Sequence, residues 1–426
     1  MDEQLRILRG FFGPVLIDGW TGIWHAYWFF LLFEFPRFVL TDFWVLAMRL
    51  IEGKTDPEVQ RLPAYSVVVP VLDEEETIAA TIHSLEEQSL LPESIILVDD
   101  GSTDGTAEVC RRFEAESSRI HFARMGERSG KSAALNCGLG LVRTEAVVFV
   151  DADTTFDRQA MRELLRPLLD PRVDAVGGVL RVRNRHDNLL TEVQALEYGM
   201  SITLSRQAKS RLGILPIISG AFGAFRTSAV RSVGGHDPGP GNDSDLTIDI
   251  RERGGRIVFA HDAICHTDAP TALGPLTRQR RRWCRNVVKN RLRKHANLFW
   301  PFRDSFSLQN LYSTLDPLLY QVFFSWVWFF YLIQLCIQRP EILPAVLIGN
   351  ACLYAVLGLL QQGIVISLSE RRSEDLRGLL YVPAYNFYRS YLRLVMLFAQ
   401  VEEIFTRKSL SDPFAPTKVQ ESQPDW

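Results

Sequence analysis

Residues 146–153 restrict the possible folds of this chain more than any other segment. They consist of five consecutive apolar residues followed by two carboxylates one residue apart, Asp151 and Asp153. A short apolar run without alternation, bounded by polar residues, predicts a strand buried on both faces. If the strand extends through Asp153, both carboxylates point to one side of the carboxyl edge, where open α/β sheets bind ligands. A divalent cation would explain such a pair, but an ordinary strand-end turn, where Asp is common, explains it equally well.

The composition limits the number of domains and the classes of partner. The chain has 426 residues, enough for two or three domains, and a formal net charge of −3 from 47 Lys+Arg and 50 Asp+Glu. No general affinity for polyanions follows, and no nucleic-acid partner is indicated. The six cysteines show neither CxxC nor ligand spacing with His, so we read them as reduced residues. Aromatic residues concentrate at the two ends, whereas residues 63–276 read as a soluble α/β domain.

Residues 1–62 are predicted to form an amphipathic and transmembrane region. We expect no signal peptide, because residues 1–9 are amphipathic and charged rather than a basic head before an apolar core. The aromatic stretch 11–50 is interrupted by residues that disfavour a clean membrane crossing: Glu34, Pro36, Arg37 and Asp42. Its apolar parts, 23–33 and 38–50, are each shorter than the roughly 20 residues that a crossing needs. They form either one kinked crossing or interfacial helices, and we favour one crossing plus an interfacial helix.

The α/β domain is predicted from alternating strands and helices. Strands are expected at residues 66–71, 94–100, 120–125 and 146–153, and helices at 74–88, 106–114 and 132–141. Asp73, with Glu76 three residues later, is a plausible N-cap of the first helix. This alternation predicts a parallel, doubly wound sheet with right-handed crossovers. Further strands are expected at 174–180, 221–226 and 256–260, and further helices at 189–208 and 246–253.

The chain changes character after residue 276. Residues 278–294 contain nine Lys or Arg with apolar residues at helical spacing. This pattern predicts a basic amphipathic helix at an anionic membrane surface, within an interfacial segment that we place at 277–310.

A C-terminal transmembrane region of about three spans is predicted at residues 311–407, followed by a tail at 408–426. The apolar stretches are 318–337, 342–368 and 379–405. The third carries Arg389 and Arg393, which should face a protein interior or an aqueous cavity rather than lipid. The Arg-rich loop 370–377 fits the cytoplasmic side of the membrane if the α/β domain is also cytoplasmic.

Several polar groups could carry chemistry at the ends of predicted elements. Asp100 ends the second strand before a Gly-Ser-Thr turn and can bind a ribose or base. Asp243 begins a helix after the Gly/Pro loop 234–241, which can close over a substrate. Residues 279–283 supply cations and an aromatic face. Each group alone also fits a turn, a helix cap or a solvated helix.

One apparent phosphate loop is rejected. Residues 126–132 have three residues between the two glycines, where the nucleotide-binding motif needs four. A nucleoside triphosphatase is therefore not expected, although Lys131, near a helix N-terminus, can still meet a diphosphate.

Taken together, the motifs resemble those of a family 2 glycosyltransferase of the membrane polysaccharide synthase type. The resemblance spans about half of the chain and is nearest to poly-N-acetylglucosamine and chitooligosaccharide synthases, with hyaluronan and cellulose synthases further off. It implies a Rossmann-like GT-A catalytic domain of the nucleotide-diphospho-sugar transferase type, flanked by transmembrane and interfacial helices. The motifs that carry it are Val69-Pro70, Asp73-Glu74, Val98-Asp99-Asp100-Gly101-Ser102, Gly130-Lys131, Ala134-Leu135-Asn136, Asp151, Asp153, Ser219-Gly220-Ala221, Asp243, Asp245-Leu246, Gln279 and Arg282-Trp283.

The resemblance also implies roles for individual residues. Asp73 and Asp100 would contact the uridine of a UDP-sugar donor, and Lys131 would lie near its diphosphate or sugar. Asp151 and Asp153 would hold Mg²⁺ or Mn²⁺, with Asp153 the principal ligand. The remaining substrate-binding positions would be Gly220, Gln279, Arg282 and Trp283, the last three holding the diphosphate and stacking on the acceptor.

Asp243 would be the general base that deprotonates the acceptor hydroxyl. An in-line displacement at the anomeric carbon needs a base on one side and leaving-group stabilisation on the other. With no enzyme nucleophile, an α-linked donor gives a β-linked product.

Three features depart from the family pattern. Asp73-Glu74 stands where relatives usually have Asn-Glu, and Asn242-Asp243 stands where they usually have two acidic residues. The missing carboxylate could lower the pKa of the base or alter acceptor preference. The tail after Phe405 lacks the Trp-rich ending that the resemblance leads us to expect.

The predicted function is that of a membrane-integrated, cytoplasm-facing enzyme that extends a polysaccharide from UDP-N-acetylglucosamine and helps to export it. Its partners would be a glycan acceptor, membrane lipid and an accessory or export subunit. One alternative is a transferase that adds a single sugar to a polyprenyl phosphate; that group lacks the Gln-x-x-Arg-Trp element. Another is a catalytically inactive sensor of nucleotide sugars in a secretion complex. Loss of Asp153 or Asp243 would have supported this alternative, but both residues are present.

Overall fold

The structure of the protein is a computed structural model that describes residues 13, 19–52, 61–302, 306–411 and 415–422. The expectations for residues 1–9, and for most of the predicted interfacial segment before residue 19, fall outside this part. The chain divides into two compact units. The α/β unit comprises Asp56–Thr191, Lys209–Leu318 and Phe398–Trp426, and the helical unit comprises Met1–Thr55, Glu192–Ala208 and Leu319–Leu397.

Seventeen α-helices and eight strands make up the regular structure of the described residues. The strands are β1 Tyr65–Val71, β2 Ser94–Asp99, β3 Ile120–Arg124, β4 Ala146–Val150, β5 Thr155–Phe156, β6 Val173–Val182, β7 Phe222–Arg226 and β8 Arg256–Thr267. The helices are α1 Gly19–Phe29, α2 Phe35–Glu52, α3 Ile78–Glu86, α4 Thr106–Glu116, α5 Lys131–Leu141, α6 Ala160–Leu165, α7 Leu189–Glu197, α8 Ser205–Arg211, α9 Thr227–Ser232, α10 Asn242–Glu252, α11 Leu273–Val288, α12 Leu308–Pro317, α13 Phe324–Gln338, α14 Leu343–Leu368, α15 Arg372–Arg377, α16 Val382–Thr406 and α17 Thr417–Ser422.

The α/β unit contains one eight-stranded sheet in the order β3-β2-β1-β4-β7-β6-β8-β5. Strands β1 to β4 pair in parallel, as the sequence predicts. The second half of the sheet is mixed, because β7 lies antiparallel to both β4 and β6, while β6 and β8 are parallel. The parallel arrangement, which was predicted for the first four strands, is confirmed there, and the antiparallel pairs belong to strands whose direction was not predicted.

Hydrophobic cores cover both faces of the sheet. In β4, Val148 and Val150 belong to one core and Val147 and Phe149 to the other, and all four are buried. Helices α3 and α4 cover the first face, and α5 and α10 contribute to the second. The unbroken apolar run of β4 thus reflects a strand without a solvent face, which confirms the doubly wound arrangement of the first half.

Two helix–strand boundaries differ from the predictions. Strand β4 ends at Val150, so Asp151 and Asp153 lie in the turn that follows, where the N–H of Thr154 donates to the carbonyl of Asp151 at 3.3 Å. The first helix begins at Ile78 and not at residue 74, so Asp73 is not its N-cap. Asp73 instead has a positive φ of 55°, in the region that non-glycine residues seldom adopt.

Three other elements also differ from their predicted extent. The helix predicted at 189–208 is interrupted by a π-helical segment, Tyr198–Leu204, before α8. Helix α10 begins at Asn242, four residues before its predicted start, and β8 continues to Thr267, beyond the predicted end at residue 260.

The helical unit contains the apolar C-terminal helices. Among the residues that the structure describes, two helices are long and apolar enough to cross a membrane: Leu308–Gln338, whose first residues belong to the α/β unit, and Leu343–Leu368. The third predicted stretch forms α16. Its Arg389 contacts Glu34 at 3.0 Å and its Arg393 also pairs with Glu34, which is buried. Both arginines therefore face the protein interior, as expected for cations in an apolar helix.

Candidate active site

Loops that follow adjacent parallel strands meet at one edge of the sheet. The loop after β1 carries Asp73, and the loop after β2 carries Ser102 and Thr103. The N–H of Asp73 donates to the hydroxyl of Ser102 at 3.0 Å, and the N–H of Thr103 donates to the Asp73 carboxylate at 2.8 Å. These reciprocal bonds hold Asp73 in its unusual backbone conformation and place its carboxylate at the carboxyl edge, where open α/β sheets bind ligands.

Asp100 anchors the segment that precedes Lys131. One oxygen of its buried carboxylate accepts from the N–H of Ser129 at 2.6 Å, and the other accepts from the N–H of Gly130 at 2.8 Å. Gly130 has a φ of +92°, which a residue without a Cβ adopts readily. Asp100 thus has a structural role that the sequence alone did not indicate, because it fixes the start of α5.

The turn after β4 forms an acidic cluster around one lysine. The Lys131 ammonium contacts the Asp151 carboxylate. Desolvation favours neutral Lys131, but the carboxylates of Asp151, Asp243 and Asp153 outweigh it and raise the Lys131 pKa. Burial, and next the charge of Asp151, raise the pKa of Asp153. The charges of Asp153 and Asp151, after desolvation, also contribute to the raised pKa of Glu74. An additional cation would therefore be favourable here.

Asp243 lies in the first turn of α10 and approaches the Lys131 cluster. Gly241, with a φ of 89°, provides the left-handed residue before the helix. The Asp243 carboxylate accepts from the N–H of Ser244 at 2.8 Å, and its other oxygen lies 3.4 Å from the nitrogen of Gly220. Desolvation is the largest influence on Asp243 and raises its pKa. Asp243 is therefore held in place and is a better proton acceptor than a solvated aspartate.

Gly220 lies between these two charged groups. A Cβ at this position would lie 3.6 Å from the Cβ of Asp243 and 3.7 Å from Nζ of Lys131. The structure therefore brings together four predicted site residues: Lys131, Asp151, Gly220 and Asp243.

A pocket opens between Lys131 and Asp243, with an apolar wall that includes Phe149. His236 lines it as well, and the sequence analysis did not identify this residue. The Asn136 side chain holds the backbone of His236 at both ends, accepting from its N–H and donating to its carbonyl, each at 2.8 Å. The feature of the sequence that could have drawn attention to His236 is the preceding pair Gly234-Gly235, which indicates a turn. Both glycines have a positive φ.

Gln279, Arg282 and Trp283 lie on α11. In the described part of the chain, none of the residues that line the pocket comes from this helix. The Trp283 ring is exposed and is contacted by the Arg280 guanidinium at 4.2 Å from the ring centroid. Gln279, Arg282 and Trp283 therefore do not line the Lys131–Asp243 pocket, and their contact with the substrates stays a prediction.

Carboxylates of the protein neutralise much of the positive charge in residues 278–294. Glu402 binds Arg281 at 2.7 Å and Arg285 at 2.6 Å. Similar pairs join Arg293 to Glu403 and Lys294 to Asp237 and Asp245. Four of the nine basic residues of this segment, Arg281, Arg285, Arg293 and Lys294, therefore pair within the protein, and its place at a membrane surface stays a prediction.

Two further features were not anticipated. The C-terminal helix α17 carries Lys418, which binds Glu127 at 2.5 Å and Ser129 at 3.0 Å, so the end of the chain contacts the loop before Lys131. Separately, Asp249, Glu252 and His295 have potential ligand atoms within 4.8 Å of one another. His295 is already engaged, since its Nε2 lies 3.2 Å from Asp245.

The parallel half-sheet with its acidic edge, extended by a mixed half, defines a GT-A glycosyltransferase fold. A mannosyltransferase from Pyrobaculum calidifontis, solved in complex with GDP-Man and Mn²⁺, matches it with a TM-score of 0.56 and 21% sequence identity, over 87% of this chain and 96% of that chain. At this identity the likeness concerns the fold. Residues 66–234 match the model of glycosyl transferase family 2, and this domain belongs to that family.

Two curated relatives are also similar to this chain. The poly-beta-1,6-N-acetyl-D-glucosamine synthase of Staphylococcus aureus (strain COL) is 32% identical over 235 residues, which are 55% of this chain and 57% of the relative. An N-acetylglucosaminyltransferase of Rhizobium meliloti (strain 1021) is 32% identical over 291 residues, 65% of each chain. The chain therefore spans between half and two thirds of the length of these relatives.

Proposed function

We propose that this protein is an inverting glycosyltransferase that transfers N-acetylglucosamine from UDP-N-acetylglucosamine to a growing β-linked polysaccharide. The convergence of Asp243, Gly220 and Lys131 beside Asp151 is the observation that carries the proposal. The proposal is supported by a carboxylate, suited to act as a base, near a lysine that suits an anionic leaving group and near carboxylates that could hold a divalent cation. The names of the two curated relatives support N-acetylglucosamine as the sugar.

Asp243 acts as the general base in this proposal. Its carboxylate accepts the proton of the acceptor hydroxyl as that oxygen attacks the anomeric carbon of the donor. The hydrogen bond from the N–H of Ser244, at 2.8 Å, orients the carboxylate for this task. The raised pKa brings the base closer to the working pH, which favours proton transfer. Because the enzyme supplies no nucleophile, one displacement inverts the anomeric configuration.

The donor is held at the acidic edge. Asp73 and Asp100 lie on the nucleotide side, and Lys131 and Asp151 lie nearest the diphosphate. Asp151 and Asp153 would hold Mg²⁺ or Mn²⁺, which when bound offsets the negative charge on the departing UDP. These residues suit such an ion because carboxylate oxygens are its preferred ligands and because their mutual repulsion raises the pKa of Asp153, after desolvation.

The other parts of the chain complete the proposed machinery. Residues 63–276 form the catalytic domain on the cytoplasmic side, and Gln279, Arg282 and Trp283, within the interfacial segment 277–310, bind the diphosphate and stack on the acceptor. Residues 1–62 and 311–407 anchor the enzyme in the membrane, with two helices that are long and apolar enough to cross it. Residues 408–426 form the tail. Membrane lipid and an accessory or export subunit are the proposed partners.

The proposal is tested by measuring UDP release from protein purified in lipid nanodiscs, with Mg²⁺ or Mn²⁺ and a panel of UDP-sugars. We expect turnover with UDP-N-acetylglucosamine and a β-linked polymer. Asp243→Asn should lower turnover by about a hundredfold or more, whereas Asp249→Asn, the same change six residues along α10, should not.

Other results would point elsewhere. Turnover only after addition of polyprenyl phosphate would indicate a lipid-linked single-sugar transferase. Nucleotide-sugar binding without turnover for any donor would indicate a sensor subunit and would contradict the proposed activity. Equal activity of the two asparagine variants would remove Asp243 from the mechanism.

A further inference from the structure

His236 is a buried polar side chain in the pocket beside Asp243. Only 6% of its surface is exposed. Within the described part of the chain, neither Nδ1 nor Nε2 of its ring has a hydrogen-bond partner. A buried polar atom without a partner is costly, so such atoms in folded proteins are usually paired. Both ring nitrogens are therefore suited to bind a group that enters the pocket.

The surroundings of His236 hold its ring in a single position. Asn136 binds the backbone of His236 on both sides, each hydrogen bond being 2.8 Å long. The ring packs edge-to-face against Phe149 of β4, with 4.7 Å between centroids. A side chain fixed in this way presents its nitrogens without further loss of conformational freedom, which favours ligand binding.

The imidazole is neutral at physiological pH. Burial, and next the charge of Lys131, lower the His236 pKa to about 4. A neutral imidazole has one N–H donor and one nitrogen acceptor. Each ring nitrogen can therefore make one hydrogen bond, and a secondary amide, which has an N–H donor and a carbonyl acceptor, can pair with either nitrogen.

The rest of the pocket suits a small uncharged group with an apolar end. Its wall contains Leu135, Phe149, Ile218, Phe225 and Leu246. An acetamido group can form one hydrogen bond with the imidazole, through its N–H or its carbonyl, and it has a methyl group for this wall. A hydroxyl group has no methyl group to pack against the apolar wall. A carboxylate would lose its hydration on entering the pocket, which is unfavourable.

We propose that His236 forms the floor of a subsite for the acetamido group of the transferred sugar. This inference rests on the proposed function, in which the sugar lies between the diphosphate near Asp151 and the base Asp243. The pocket opens between Lys131 and Asp243, on the path of that sugar. His236 would thus select N-acetylhexosamine donors over hexose donors without taking part in the displacement.

The variant His236→Phe tests the inference because it keeps an aromatic ring against Phe149 and removes both nitrogens. We expect kcat/KM for UDP-N-acetylglucosamine to fall by about tenfold to a hundredfold, the loss expected when one hydrogen bond to a substrate is removed and the polar group of the substrate is left unpaired. The lower kcat/KM for UDP-glucose should stay within about twofold. His83→Phe is the matched control, since His83 also packs edge-to-face on a phenylalanine, Phe113, but is exposed on α3.

An equal loss with both donors, or no loss with either, would show that His236 is only structural. A second measurement covers the case in which His236→Phe fails to fold. In the unmodified protein, mass spectrometry follows deuterium exchange at the imidazole C2 of His236. UDP-N-acetylglucosamine should slow this exchange more than UDP-glucose does, and equal slowing overturns the inference.

The same experiments separate this inference from the proposed function. If the unmodified protein turns over UDP-N-acetylglucosamine but the selectivity of the His236→Phe variant is unchanged, only the subsite is wrong. If the unmodified protein turns over no UDP-sugar, both proposals fall.

Discussion

At the scale of single residues, burial tunes Asp243. Desolvation raises its pKa against the opposing hydrogen bond from Ser244 and the charge of Lys131. A carboxyl group whose pKa is higher in the folded state stabilises the protein below its unfolded pKa of about 3.9. That contribution is lost as the pH rises through the folded value. At neutral pH, where Asp243 is charged, its burial therefore lowers the stability of the folded protein.

This leads to opposite effects of Asp243→Asn on activity and on stability. The variant should lose about 10²- to 10⁴-fold in turnover, the usual contribution of a general base. Its melting temperature at pH 7.5 should be equal to or higher than that of the unmodified protein, and the difference should shrink at lower pH as Asp243 becomes protonated. When the pH is lowered, turnover by the unmodified protein should begin to fall at a pH above the usual pKa of aspartate, because Asp243 is protonated at a higher pH. A lower melting temperature at pH 7.5 would contradict the assigned pKa direction.

At the scale of elements, the sequence predicts β1, β2 and β4 because each is covered on both faces. Such strands consist of unbroken apolar residues, as in β1 and β4, and this pattern is local. The antiparallel pairing of β7 was not predictable in this way, because strand direction depends on long-range pairing. The conformation of Asp73 likewise depends on contacts that are distant in the sequence. Its N-cap pattern is local, but hydrogen bonds with the loop after β2 determine its conformation.

The candidate site shows the same division. Lys131, Asp151, Gly220 and Asp243 were predictable as a group because they lie at strand ends or helix starts on one edge of the sheet. The role of Asp100 in holding the loop before Lys131, and the position of His236 in the pocket, depend on three-dimensional contacts. The spacing of these residues along the sequence does not indicate those contacts.

Helix α11, which carries Gln279, Arg282 and Trp283, is anchored by Glu402. The two contacts of Glu402 with Arg281 and Arg285 are partly shielded from water, since 16% of the Glu402 side chain is exposed. Glu402→Gln should therefore lower the free energy of unfolding by about 1–3 kcal/mol, the range for hydrogen bonds to charged groups. Denaturant titration in detergent measures this change. Glu86→Gln, on the exposed side of α3, is the control and should have little effect; equal destabilisation by both would argue against the anchor.

At the scale of the whole molecule, the helical unit buries charge among apolar helices. Glu34, in the π-helical segment between α1 and α2, binds both Arg389 and Arg393 of α16, and the Arg389 guanidinium also lies 5.1 Å from the centroid of the Tyr354 ring. Breaking such a buried pair leaves an uncompensated charge, so its members depend on one another. The apolar N-terminal and C-terminal stretches recognised in the sequence thus form one unit, although they lie more than 300 residues apart.

The proposed topology places the catalytic domain in the cytoplasm and the end of the first candidate span on the opposite side of the membrane. Cys137 of the α/β unit and Cys336, near the end of Leu308–Gln338, are both exposed and serve as reporters in single-cysteine variants. In intact spheroplasts a membrane-impermeant maleimide should label Cys336 and not Cys137, and permeabilisation should expose Cys137. Cys352, exposed in the middle of Leu343–Leu368, should stay protected by lipid in both conditions. Labelling of Cys137 in intact spheroplasts would reverse the topology, and labelling of Cys336 only after permeabilisation would show that the first helix does not cross.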